Sequence, residues 1–171
     1  MSKYTCSQIK VSQLLMGKYL ANRLAYHTVR FCHAQGVAHC NIKPENILCG
    51  FDQVYLTDFG LATDLRHSTN KCGTRAYMSP ECLGSLDTSL CFYNTFANNI
   101  WSLGFVLMNL LGSARPWREA RSDDPHFRTF VAQDTTFFNP IGKSFEYSFI
   151  LKMLCLEDRQ MTAKQVLQAL L

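Results

Sequence analysis

The sequence is poor in charge. Asp, Glu, Lys and Arg make up only 18% of its 171 residues, against about 25% in an average soluble domain. The net charge of +4 is mild and forms no basic stripe, which reads against nucleic-acid binding but leaves room for acidic or phosphorylated partners. No long apolar run is present either. The longest, Ile100 to Leu111, is broken by Ser102, Gly104 and Asn109, whereas a bilayer span needs about 20 apolar residues. The opening residues Met1-Ser2-Lys3-Tyr4-Thr5-Cys6 lead into no apolar segment of the signal-peptide kind. The expectation is a soluble, intracellular chain, cytoplasmic or nuclear, with no membrane contact.

Cysteine is present but unpatterned. Cys6, Cys32, Cys40, Cys49, Cys72, Cys82, Cys91 and Cys155 include no C-x-x-C pair. His33 and His39 near Cys32 and Cys40 do not give zinc-ligand spacing. Disulfide-stapled secreted domains are shorter and denser in cysteine. Free, mostly buried thiols in a reducing compartment are expected.

What is there is enough for one compact domain: apolar residues make up 47% of the chain. Ala21, Leu24/Ala25, Thr28/Val29 and Cys32 recur at helical spacing within residues 12–36, and Gly36 ends the pattern. Residues 37–46 read as a loop. Asn46–Cys49 and Val54–Thr57 read as strands of a small hairpin across Gly50-Phe51-Asp52-Gln53. Residues 58–81 read as a long loop and 84–98 as irregular. Asn98–Gly112 is apolar on nearly every face and reads as a buried helix. Pro116-Trp117 marks a turn, and further helices are expected at 119–132, 144–156 and 162–171, the last capped by Thr162.

One ordered series carries chemistry. It begins His39-Cys40-Asn41-Ile42-Lys43-Pro44-Glu45-Asn46 and continues with Asp58-Phe59-Gly60. Gly73-Thr74, Tyr77-Met78-Ser79-Pro80-Glu81, Asn99-Ile100-Trp101-Ser102-Leu103-Gly104 and Arg159 follow. Each string alone is weak. Together, in this order and spacing, they resemble the H-R-D-L-K-P-E-N, D-F-G, A-P-E and D-x-W-S-x-G series of eukaryotic Ser/Thr protein kinases. The strings Val54–Thr63 and Tyr77–Cys82 look most like fungal nutrient- and meiosis-regulating members.

The resemblance implies a mainly α fold like the larger, C-terminal lobe of a kinase, from about residue 12 through the whole 1–171 domain, with a small β-hairpin and no small lobe. It implies ATP and magnesium as the family's cofactors. Asp58 and Asn46 fall at the magnesium positions, Lys43 at the lysine that neutralises the transferring phosphate, and Leu48 at the apolar floor beneath adenine. Val106 and Leu110 would support that floor. His39 and Phe59 match the lower half of the regulatory spine, with core packing as their first reading. Asp58, Phe59, Gly60, Thr74 and Glu81 fall along the activation segment. Glu81 and Arg159 match its buried ion pair, whose loss on one side would cost about 3–5 kcal/mol.

Several residues depart from that pattern. Asn41 stands where the catalytic base is an Asp. An amide nearly matches a carboxylate in shape but cannot take a proton, and general-base catalysis is worth about 10²–10⁴-fold. Cys40 replaces an arginine that pairs with an activation-loop phosphate, so Ser68 and Thr69 have no arginine at position 40 to answer them. Asn99 replaces a carboxylate that accepts from the catalytic-loop backbone; its plainer reading is a helix N-cap. No G-x-G-x-x-G occurs, and only Gly17 precedes Gly36; a V-A-I-K-type strand is likewise missing.

Two working readings follow. In the first the chain is a catalytically inactive pseudokinase lobe that acts by binding a protein (a kinase, a substrate or a regulator) or by self-association through apolar surface around Leu48 and Phe59. ATP binding would then be weak or absent. In the second it is part of a Ser/Thr kinase that transfers the γ-phosphate of ATP to protein hydroxyls. A decaying duplicate is a third.

Overall fold

The computed structural model describes residues 4–5, 28–49, 54–85, 92–110, 115–132, 150–155, 162 and 165. Among the described residues, short helices and two small antiparallel sheets surround one long helix. The first described helix, α1 (Arg30–Ala34), ends at Gln35. Gly36 follows at φ +75°, the left-handed conformation that glycine adopts freely. The N-terminal part of the expected 12–36 helix lies outside the described residues.

The expected hairpin is present as β2 (Ile47–Cys49) and β3 (Val54–Leu56), with Ile47 opposite Leu56 and Cys49 opposite Val54. It is not alone. β1 (Tyr4–Thr5) pairs antiparallel with β2 and makes a three-stranded sheet. A second sheet joins β4 (His67–Ser68) to β5 (Tyr93–Asn94), in regions read from sequence as loop. Both additions are two-residue strands held by a distant partner, and alternation cannot reveal so short a strand.

α2 (Pro80–Leu83) has a clear local cause. Ser79 Oγ accepts the Cys82 N–H at 3.2 Å, Pro80 takes the first helical position, and Gly84 closes the helix at φ +63°. α3 (Thr95–Leu110) is the long buried helix. It starts three residues before the expected Asn98, because Asn94 Oδ1 accepts the N–H groups of Phe96 and Ala97 at 3.0 and 3.1 Å. Asn94, not Asn99, is therefore the N-cap. α4 (Pro125–Val131) is shorter than the expected 119–132 helix. Asp124 caps it by accepting from His126 and Phe127 at 2.9 and 3.2 Å.

Residues 150–153 are helical. At Thr162, the residue's N–H donates to Gln165 Oε1 at 2.8 Å, and the Gln165 N–H returns to Thr162 Oγ1 at 3.3 Å. That reciprocal pair is a capping box, at the position expected for a cap. The expected 144–156 helix is not helical at residues 154–155, which form a bend; residues 144–149, 156 and the remainder of 162–171 lie outside the described residues.

The core centres on α3. Trp101, Leu103, Phe105 and Val106 are fully buried. Trp101 packs against Phe105 and Trp117 at centroid separations of 6.2 and 6.1 Å. Trp117 in turn meets Phe127 at 5.3 Å and Phe130 at 4.8 Å, so the Pro116-Trp117 turn plugs the core between α3 and α4. Gly104 lets residues 150–154 come close: a Cβ there would meet Leu154 Cδ2 at 3.0 Å and Met153 Cβ at 3.2 Å. No described helix is long and apolar enough to cross a membrane.

Candidate nucleotide and phosphoacceptor site

The site is a set of loops gripped from beneath by α3. Cys40 sits at φ +62°, which costs a non-glycine residue of order 1–2 kcal/mol. Its buried N–H donates to Asn99 Oδ1 at 2.9 Å. With Oδ1 so engaged, Asn99 presents Nδ2 to His33 Nε2 at 3.2 Å. His33 Nε2 must therefore be an unprotonated acceptor. Burial, helped by the charge of Arg66, pushes the His33 pKa down to about 4. A carboxylate at position 99 would face the same nitrogen as an acceptor and would require a proton on Nε2, from the other tautomer or from imidazolium. The amide and the neutral histidine are thus a matched pair, a relation with no signal in the sequence.

One residue earlier, Asn98 Oδ1 accepts the Ser79 N–H at 2.8 Å. One turn later, Ser102 Oγ donates to Tyr77 O at 2.7 Å. So Asn98 and Ser102, four residues apart and on one helical face, fix the end of the 58–81 segment while Asn99 fixes residue 40. Sequence reading singled out Asn99 and missed the role of Asn98. The side-by-side Asn98-Asn99 with Ser102 one turn on was the available signal.

His39 is buried and its tautomer follows from its bonds. Nε2–H donates to Thr57 O at 2.9 Å, and Nδ1 accepts the Asn41 N–H at 3.2 Å. Burial lowers its pKa, opposed by the Thr57 bond and by Asp58. Its ring meets Phe59 edge-on at 4.7 Å, but Phe59 itself is 45% exposed. The expected core packing therefore holds for His39 and not for Phe59. The reason is local: Phe59 begins a 3₁₀ turn, Phe59–Leu61, that stands out from the body.

Asn41 is half-buried. Its Oδ1 accepts from Thr74 Oγ1 at 2.9 Å, and its main-chain O accepts from Asn46 Nδ2 at 3.0 Å. Position 41, the 3₁₀ turn Pro44–Asn46 and the Thr74 region are thereby tied together. Asp58 is exposed and left-handed at φ +63°. Lys43 is half-buried, and neither it nor Asp58 forms an ion pair among the described residues. Leu48 is half-buried on β2, with Val106 fully buried. Gly60 lies beside the Asp58 carboxylate, 3.3 Å from where its Cβ would be. Leu110's side chain and Arg159 lie outside the described residues, so the expected Glu81–Arg159 pair does too. Glu81 is half-buried on α2.

These residues fit a hard divalent cation. Asn46 anchors its amide through Nδ2, which leaves Oδ1 to ligate, and Asp58 offers an exposed carboxylate. One carboxylate and one amide oxygen suit magnesium, which keeps several waters and accepts few protein ligands. Bound there, magnesium would neutralise phosphate charge. No group of three or more His, Cys, Asp or Glu among the described residues forms a dedicated metal cage.

The family comparison agrees with this arrangement. A family model described as the protein kinase domain matches residues 7–170. The chain belongs to that family. Among curated relatives it is 36% identical, over 147 residues, to the negative regulator of sexual conjugation and meiosis of Schizosaccharomyces pombe, covering 74% of this chain and 31% of that protein. It is 36% identical over 123 residues to the serine/threonine-protein kinase SKS1 of Saccharomyces cerevisiae, covering 64% and 24%. With the serine/threonine-protein kinase VHS1 of the same yeast it shares 30% over 155 residues, covering 81% and 33%. The fungal regulatory resemblance read from the motifs is therefore shown. The chain spans about a third or less of the length of these relatives.

Proposed function

We propose that this kinase-family chain corresponds to the larger lobe of the domain and works as a pseudokinase, holding a protein partner without transferring phosphate. The observation that carries the reading is at Asn41. Its amide oxygen is taken by the Thr74 hydroxyl at 2.9 Å, and its remaining end is an NH₂, a donor. A substrate hydroxyl about to lose its proton needs an acceptor at that position. Magnesium ligands and Lys43 kept in place do not replace one.

ATP binding is weak in this reading. These 171 residues contain neither a glycine-rich loop nor the lysine strand that would close over the nucleotide, and good pockets bury most of their ligand. The binding role rests on exposed apolar side chains in the 59–65 segment: Phe59 at 45%, Leu61 at 41% and Leu65 at 60%. Neighbouring apolar groups of that kind mark contact surfaces. The partner is a protein: a kinase, a kinase substrate, a regulator or a second copy.

Two measurements test this. Calorimetry with Mg-ATP should give no binding at micromolar concentrations. In a chimera carrying a glycine-rich loop and lysine strand from a relative, Asn41→Asp should transfer phosphate to a Ser/Thr peptide and the unsubstituted chimera should not. Equal transfer by both would favour the alternative, a portion of a working Ser/Thr kinase.

A further inference from the structure

Three of the cysteines meet where the catalytic loop touches the activation segment. Cys72 is the centre of the group. Its carbonyl accepts from Cys82 Sγ at 3.9 Å, and its own Sγ lies 3.8 Å from the Tyr93 hydroxyl. That hydroxyl is held by donating to Asn70 O at 2.9 Å. The next residue, Gly73, lies against Cys40 so closely that a Cβ there would sit 2.5 Å from the Cys40 carbonyl oxygen. After burial, Cys72 is the group that acts most on the Cys40 thiol, ahead of Cys82, and all three cysteines are free. Cys40 and Cys82 are buried, Cys72 half-exposed.

We propose that Cys40 and Cys72 form a thiol–disulfide pair that clamps the activation segment onto the catalytic loop. The clamp would close directly beside the Asn41–Thr74 hydrogen bond, since each cysteine lies within two residues of one partner. It requires nothing of phosphotransfer, active or lost.

A peroxide is a sufficient oxidant. Cys72, the thiol solvent reaches, attacks one peroxide oxygen: an S–O bond forms, the O–O bond breaks, and the thiol proton leaves with the released oxygen as water. Cys40 sulfur then attacks Cys72 sulfur. The S–S bond forms, the S–O bond breaks, and the sulfenic oxygen leaves with the Cys40 proton as a second water. Two thiols lose two electrons and hydrogen peroxide gains them. Burial pushes the Cys40 thiol up to about 12, so it meets free oxidant slowly as a thiol. Its reaction is directed instead by Cys72, whose neighbour Gly73 packs on the Cys40 carbonyl. Cys82, also pushed up to about 12 by burial, bonds the Cys72 carbonyl and not its sulfur.

The test treats the whole native chain with a small excess of hydrogen peroxide, alkylates the remaining thiols, and maps the non-reduced proteolytic digest by mass spectrometry. The expected product is a Cys40–Cys72 linked peptide, lighter by a pair of hydrogens, lost on reduction, and formed at least several-fold less in urea-unfolded protein. Cys82→Ser should leave its yield unchanged. Cys40→Ser should leave Cys72 as a sulfenic acid that dimedone traps. A predominant Cys72–Cys82 link, a Cys72 sulfenic or sulfinic acid as end product in the unsubstituted chain, or no oxidation at all would overturn the proposal. The unsubstituted chain decides the matter even if a variant fails to fold.

Discussion

Beneath the catalytic loop, Asn98, Asn99 and Ser102 of α3 each hold a main-chain group. Asn99 holds the Cys40 N–H, Asn98 holds the Ser79 N–H, and Ser102 holds Tyr77 O, all at 2.7–2.9 Å. At the loop's edge, Lys43 and Asp58 have no ion pair among the described residues, and Asn41 carries an amide where transfer chemistry needs a carboxylate. Both regions replace a carboxylate by an amide, with opposite outcomes. At position 99 the role is to accept a backbone N–H, which an amide oxygen does, and His33 complements the other end. At position 41 the role is to take a proton, which no amide does. In the proposed reading, the same substitution is structural repair in one place and chemical loss in the other.

The largest effect separating the two regions is expected at position 41. Asn41→Asp, in the chimera described above, should raise phosphotransfer by about 10²–10⁴-fold, with little change in stability; no transfer by either chimera would mean that the edge is damaged elsewhere as well. Next in size is the core that carries α3. Trp117→Ala removes an aromatic packed on Phe105, Phe127 and Phe130 and should cost about 3–5 kcal/mol in urea unfolding. Asn99→Ala should cost about 1–3 kcal/mol, since the buried Cys40 N–H loses its acceptor; a neutral result would mean that the underside does not depend on this bond.

Asn99→Asp probes the same bond through pH. The folded His33 takes up its proton near pH 4 and the unfolded one near 6.5. Between those values the unfolded chain binds more protons, so stability is full above pH 6.5 and falls as pH drops toward 4, at up to about 1.4 kcal/mol per unit. A new carboxylate facing Nε2 favours the imidazolium, so Asn99→Asp should flatten that loss in denaturation curves taken between about pH 7 and 4.5. The smallest effect is expected from Thr74→Val, which removes one hydrogen bond to Asn41 and should cost about 0.5–1.5 kcal/mol in the same urea titrations.

The sequence spoke clearly wherever the signal was local or ordered. The Ile47–Leu56 hairpin, the buried α3 and the Thr162–Gln165 cap were all legible from alternation, continuous apolarity or a cap spacing. The kinase motif series singled out Asn41, Asn46, Asp58 and Asn99. What it missed was held together at long range. β1 lies more than forty residues from its partner β2. The His33–Asn99 pair spans more chain still and the packing of Gly73 on Cys40 somewhat less, and no periodicity encodes such contacts. Asn94 was missed for another reason: an Asn in a polar stretch looks like loop until the helix after it is seen to start early.

Asn94 also does two things at once. It is the last residue of β5, paired with His67 on the activation segment, and it caps α3. Thr95 beside it donates its N–H to Arg66 O and its hydroxyl to Leu65 O. The start of the long helix and the start of the segment's outer loop therefore share their backbone hydrogen bonds. They should open together, as one cooperative unit in native-state hydrogen exchange, so that any partner ordering residues 65–68 also slows exchange at Phe96 and Ala97.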